Sequence, residues 1–156
     1  MLRWKYTSED ASDVPIHVTC WADEGGDGTS EVTVDWEFQS EGRAPSGLRN
    51  VQIMIPLSGA GGAPPSVVTC EGVWQHSPSD DALVWTVGAV GPENMRGNMV
   101  FTAAGDDADC FFPITVRFEC MDALGGIEVV GAADAEGTAL RMGLDRVSAV
   151  DEFIIE

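Results

Sequence analysis

Apolar and polar residues alternate with a period of two along most of this chain. In Glu31-Val32-Thr33-Val34-Asp35-Trp36-Glu37-Phe38 the apolar side chains fall on one face and the polar ones on the other, the mark of a half-buried antiparallel strand. The same spacing recurs at Val51, Ile53, Ile55 and Leu57, at Leu83, Trp85 and Val87, at Met99, Phe101 and Ala103, and at Phe112, Ile114, Val116 and Phe118. These faces are the candidate core. Shorter or weaker strands are expected at Leu2 to Tyr6, Pro15 to Trp21, Val67 to Cys70, Val73 to His76, Ile127 to Val130, Ala139 to Met142 and Val147 to Ile155.

Turn chemistry separates them. EGGDG, SGAGGAPP, SPSDD, GPENMRG, AGDDAD and ALGG supply the Gly, Pro, Asn and Asp residues that positive φ angles and ladder ends require. No segment of ten or more residues keeps a helical period, so helical crossovers are excluded. The expected class is all-β, an immunoglobulin-like β-sandwich of antiparallel sheets. Pro56 and Pro113 fall beside strong strands and should mark strand ends or edges, because proline cannot donate to a ladder.

A chain of 156 residues with 44% hydrophobic content has the mass for one packed domain. Its net charge of −18 narrows the partners, since between Tyr6 and Arg43 lie ten carboxylates and no Lys or Arg. Nucleic acid and anionic lipid are held by basic residues, so both are poor partners for this surface. No apolar run is long enough to cross a bilayer, and the start lacks the apolar h-region of a secretory signal. Cys20, Cys70, Cys110 and Cys120 are widely spaced without a CxxC pair, and are expected as small buried thiols rather than disulfides or metal ligands.

Catalytic chemistry finds no foothold. Only His17 and His76 occur, neither with a recognisable nucleophile and orienting partner, and no G-x-S-x-G elbow is present. The stretch from Ser58 to Pro65 lacks the lysine and the following helix of a phosphate-binding loop, and reads as a flexible hairpin loop. The carboxylates of EGGDG and AGDDAD depart from EF-hand spacing and read as solvated turns, so no metal or other cofactor is expected. Trp36 and Trp85 are in phase with the core, whereas Trp4, Trp21 and Trp74 are candidates for an interface.

Several ordered segments together resemble the mu-homology domain of coatomer delta subunits. They are Leu2-Arg3-Trp4-Lys5, Asp13-Val14-Pro15-Ile16, Cys20-Trp21, the strand Val32 to Phe38, Val51-Gln52-Ile53-Met54-Ile55-Pro56-Leu57, Glu71-Gly72-Val73-Trp74-Gln75-His76, Leu83-Val84-Trp85-Thr86-Val87, Phe111 to Phe118, and the ending Val150-Asp151-Glu152-Phe153-Ile154-Ile155. The resemblance implies a non-catalytic part of the COPI coat in Golgi-to-endoplasmic-reticulum transport. Its location would be cytoplasmic, peripheral on Golgi and vesicle membranes through the coat. It also implies an elongated fold in which residues 15–104 form an inserted subdomain while residues 2–6 and 111–156 belong to the first subdomain. Because the family's domain is longer on its N-terminal side, an unpaired edge is expected beside Leu2 to Tyr6 or near Phe111 to Phe118.

The partners so implied are other coatomer subunits and Trp-containing acidic peptides of an endoplasmic-reticulum tether and an Arf GTPase-activating protein. Arg3, Lys5 and Arg117 are the candidate peptide-binding residues: if the first strand lies beside the Phe111 to Phe118 strand, they form a small basic strip on an acidic body. The turn Ser77-Pro78-Ser79-Asp80-Asp81 departs from the family, which often carries basic residues there, and weakens any acidic contact through it. The alternative is a stand-alone immunoglobulin-like protein-binding module, which pairing of the four cysteines would favour.

Overall fold

The computed structural model describes residues 5, 7–10, 13–39, 46–105, 107–122, 124, 128–143 and 147–156, the side chain of Asp151 excepted. Among them, nine strands form two antiparallel sheets: β1 (Ile16–Glu24), β2 (Thr29–Phe38), β3 (Leu48–Pro56), β4 (Ser66–Cys70), β5 (Val73–Ser77), β6 (Ala82–Val90), β7 (Arg96–Ala104), β8 (Ile114–Cys120) and β9 (Ser148–Ile155). One sheet has the order β1-β2-β7-β4, the other β5-β6-β3-β8-β9. The all-β sandwich expected from the period-two pattern is the architecture found.

Alternation decides which side chains meet. Val32, Val34, Trp36 and Phe38 of β2 and Met99, Phe101 and Ala103 of β7 face inward from the four-stranded sheet. Ile53, Ile55, Leu83, Trp85, Ile114, Val116 and Phe118 face them from the other, in one continuous core. Burying each large apolar side chain contributes about 1.5–3 kcal/mol, so this interlayer holds the sheets together. Phe111, from a 3-10 turn at Ala108–Phe111, plugs one end of it, with its ring edge-on to Phe101 at 6.1 Å.

The alternation breaks once in β6, where Val87 is only half-buried and Val90 is buried instead. Gly88 sits there with φ of 89°, and the β3–β6 register shifts around Val51, opposite Gly88. A bulge of this kind inserts one residue and moves the following side chains to the other face.

Two turn segments close hairpins as their chemistry predicts. In EGGDG the Gly25 N–H donates to the Thr29 carbonyl at 2.7 Å, and the Asp27 carboxylate accepts from the Thr29 N–H and hydroxyl. That fixes the β1–β2 turn and holds the Asp27 carboxyl below the usual carboxylate range. SPSDD closes β5–β6 with Asp81 at φ of 47°. The Ser58 to Pro65 stretch is not a hairpin loop but a crossing between layers, because β3 already has β6 and β8 on its two edges and β4 finds its edge on β7 instead.

Pro56 closes β3 and Pro113 immediately precedes β8, both strand ends in interior strands. Phe112, expected in the strand face, is half-buried ahead of β8. Two expected strands are absent among the described residues: of the Ile127 to Val130 stretch, Ile127 lies outside them and residues 128–130 lack regular structure, and Ala139 makes only an isolated bridge to Ala133. Little burial holds them as strands: Val129 is half-buried, but Val130 is 97% exposed and Leu140 and Met142 are also exposed. The expected strand Leu2 to Tyr6 lies outside the described residues except for Lys5, which carries no regular structure. β8 is an interior strand between β3 and β9, so it offers no unpaired edge; the outer strands are β1, β4, β5 and β9. Strands from residues 15–104 (β3, β5, β6) and from residues after 111 (β8, β9) share the five-stranded sheet.

Candidate functional site

The outer face of the four-stranded sheet carries the polar half of the alternation in ordered rows. Antiparallel register sets His17 beside Glu37 and Glu37 beside Arg96; the next row is Thr19, Asp35 and Asn98, and the next Trp21, Thr33 and Val100. Within the second row the Asn98 side-chain amide donates to Asp35 at 2.5 Å. Trp21 stands 52% exposed, an aromatic platform beside these polar rows.

The first two rows border a concavity of about 440 Å³ that also reaches Trp36, Gly97 and Glu71. Trp36 is directly opposite Gly97 in the β2–β7 ladder and is buried. A Cβ at position 97 would sit 2.6 Å from the Trp36 indole nitrogen and 2.9 Å from a Glu71 carboxylate oxygen, so glycine is what allows the indole edge to lie against the strand. The Trp36 N–H has no hydrogen-bond partner. Trp85, its counterpart in the facing sheet, donates to the Glu71 carbonyl at 2.7 Å.

At the sandwich edge β4 passes into β5 through Glu71 and Gly72, and the chain changes sheets. Gly72 has φ of 107°, and a Cβ there would meet the Thr86 carbonyl oxygen at 2.8 Å. Val68 of β4 and Val73 of β5 are exposed on either side of it, and Trp74 is 37% exposed on the outer strand β5. Of the three tryptophans expected at a surface, Trp21 and Trp74 are there and Trp4 lies outside the described residues.

The sequence-derived basic residues are placed as follows. Arg3 lies outside the described residues, Lys5 is exposed outside any strand, and Arg117 is exposed on β8, opposite Gln52 of β3. The edge pairing that was to bring the first strand beside β8 is taken up by β3 and β9. His17 is exposed; His76 is half-buried with its Nε2 unpartnered, as is one oxygen of Asp81.

All four cysteines are free. Burial pushes the Cys20 thiol up to about 11 and raises those of Cys70 and Cys120, so they stay protonated and poorly nucleophilic. The Cys120 thiol donates to the Asp122 carbonyl at 3.1 Å. Among the described residues no group of three or more His, Cys, Asp and Glu side chains is gathered to hold a metal ion.

Sequence reading missed Glu71 and Gly97 as neighbours of Trp36. Gly97 was assigned to the GPENMRG turn, whereas β7 begins at Arg96. The available signal was a glycine followed at once by strand alternation, which marks a close approach across a sheet.

Residues 1–132 match the family model of the adaptor complexes medium subunit family. The coatomer subunit delta of Arabidopsis thaliana is 33% identical over 137 residues, 88% of this chain and 25% of the relative. The probable coatomer subunit delta of Caenorhabditis elegans is 26% identical over 155 residues, 99% of this chain and 29% of the relative. The chain therefore spans less than a third of the length of these curated relatives. Among solved structures, the yeast delta-COP-I mu-homology domain superposes with a TM-score of 0.68 at 19% identity, covering 95% of this chain and 59% of that one. The same yeast domain complexed with a Dsl1 WxWxV peptide gives 0.67 at 18%, with the same coverage. The shared fold is that of a mu-homology domain.

Proposed function

The chain belongs to the adaptor complexes medium subunit family, and from that premise we propose that it is a non-catalytic domain of a COPI coat delta subunit that captures short peptide motifs. The similarity to coatomer delta subunits along 88–99% of the chain carries this reading. The peptide class follows from the yeast neighbour, whose bound partner is a WxWxV peptide. By extension the ligands are Trp-containing acidic segments of an endoplasmic-reticulum tether and an Arf GTPase-activating protein, and the assembly partners are the other coatomer subunits.

The place of action is the cytoplasmic face of Golgi and COPI vesicle membranes during retrograde transport, with membrane contact made through the coat. Among the described residues no helix is long and apolar enough to cross a membrane. A body of net charge −18 repels an anionic bilayer, which favours indirect attachment.

An acidic peptide approaching such a body needs local positive charge. We assign that role to Arg3, Lys5 and Arg117. With both edges of β8 occupied, Arg117 meets a ligand from the sheet face rather than along a strand edge. Co-expression with the remaining coatomer subunits tests the assembly: co-elution in one complex is expected, and elution of the chain alone would sink the coat reading.

A further inference from the structure

The outer face of the five-stranded sheet is an uncharged area on a strongly acidic molecule. Register sets Gln75, Val84, Met54, Thr115 and Ile154 side by side in one row across all five strands. Their neighbours along the strands, among them Ile53, Leu83, Trp85 and Val116, point into the core, so this row points outward. Ala82 and Pro56 flank it on one side, and Val73 and Thr86 on the other. No carboxylate stands among these residues, although the chain carries 26. The outer rows of the four-stranded sheet, by contrast, hold Asp23, Glu31, Asp35 and Glu37.

The area is apolar as well as uncharged. Val73 is 69% exposed and Ile154 48%, with Met54, Val84 and Pro56 half-buried between them. Scattered apolar residues on a surface are ordinary, but residues held side by side by a ladder form one patch. With strands about 4.8 Å apart and alternate residues about 7 Å apart, three rows span about 19 by 14 Å, or about 300–400 Å² with the side-chain margins. A free-standing pair of proteins needs about 800 Å² from each partner, so the patch is too small to hold a second copy by itself. It suits a partner kept close by other links, because linkage supplies the effective concentration that a small contact lacks. Charge narrows the partner further, since a face without ions can be covered by another such face with no buried charge left unpaired.

We infer that this face packs flat against an uncharged, aliphatic surface of another subunit of the same coat. The inference rests on the coat-domain reading and adds to it the surface of contact. Arg117 stands at the rim, beside Gln52, so an acidic peptide held there and the neighbouring subunit occupy adjoining areas.

Co-expression of the chain with the remaining coatomer subunits tests it. Met54→Lys and Ile154→Lys each set a cation in the middle or at the end of the row, while Thr33→Lys adds the same charge to the outer face of the other sheet. The unaltered chain and Thr33→Lys should co-elute with the complex, and the two row variants should lose about tenfold of the chain from it. Ile154 is exposed on an outer strand, so Ile154→Lys remains a fair test where Met54→Lys fails to fold. In the unaltered chain, peroxide oxidation of Met54, read by mass spectrometry, should slow severalfold on assembly, whereas that of Met95 in the β6–β7 turn should not. Co-elution of all three variants alike, or unchanged Met54 oxidation, overturns this inference and leaves the coat reading standing. Elution of the unaltered chain alone removes both. Self-association of the chain in sedimentation, abolished by Ile154→Lys, would give the face to a second copy and overturn the inference as well.

Discussion

Gly97→Ala tests whether the Trp36 edge sets the identity of its cross-strand neighbour. Within a strand, replacing glycine by alanine ordinarily stabilises by about 0.5–1 kcal/mol, because the unfolded chain loses freedom. Here the new methyl would lie 2.6 Å from the indole nitrogen and 2.8 Å from the adjoining ring carbon. That is about 0.9 Å inside the ~3.5 Å at which such atoms attract. Overpacking a closed interior costs about 1–3 kcal/mol, so the clash outweighs the entropy and a net loss of about 1–2 kcal/mol is expected. Trp36→Leu removes the two indole atoms, leaving only the Glu71 carboxylate at 2.9 Å, the far end of an exposed side chain that can swing aside; although it is itself destabilising by about 3–5 kcal/mol if the cavity fails to collapse, the Gly97→Ala change in that background should be neutral or stabilising. Urea unfolding followed by far-ultraviolet circular dichroism gives both steps of the cycle, provided the m-values agree. The same loss from Gly97→Ala in the two backgrounds would refute the close approach.

Other parts of the fold give independent tests. Phe111→Ala removes the fully buried ring set against Phe101 and should cost about 3–5 kcal/mol, measured by the same unfolding curves. Ser30→Ala strips the 2.7 Å bond to the Gly105 carbonyl, leaving a buried acceptor unpaired, and should lose about 1–3 kcal/mol, against near-neutrality for Ser79→Ala in an exposed turn. The Cys20 thiol is raised from 9.0 to about 11 in the fold by burial, so its contribution is fully present below pH 9 and fades as pH rises through 11; thermal melts from pH 8 to 11 should show Cys20→Ala with the shallower decline. Arg117→Glu should weaken an acidic Trp-containing peptide severalfold at low salt, with the difference shrinking as salt is raised, read by calorimetry.

How much of this was legible depended on whether a residue acts along its own strand or across to another. Strands β2, β3, β7 and β8 could be read because each buries one face against an opposing layer, and burial imposes the period of two. Residues 128–130 and 139–142 have the same local composition but no layer to cover them, which local composition cannot reveal. Likewise Ser58 to Pro65 has the residues of a hairpin, yet whether a turn joins neighbours or changes sheets is decided by which edges are already paired. Gly88 and Asn50, at φ of 89° and 52°, mark the bulged region where strict alternation misplaces Val87.

Site residues were less legible still. Trp36 was recognisable as core from its phase, but the surroundings of its unpartnered N–H come from Gly97, five strands further along the chain, and from Glu71, just past the end of β4. The basic strip rested on a strand adjacency, and the edge it needed on β8 is occupied by β3 and β9.

The central claim, that this is a coat domain capturing tryptophan-based motifs, is tested most directly by titration calorimetry of the chain with a short acidic peptide containing Trp-x-Trp-x-Val. The expected result is saturable one-to-one binding that disappears when both tryptophans of the peptide are replaced by alanine. Heats that are absent, or the same for the two peptides, would contradict it.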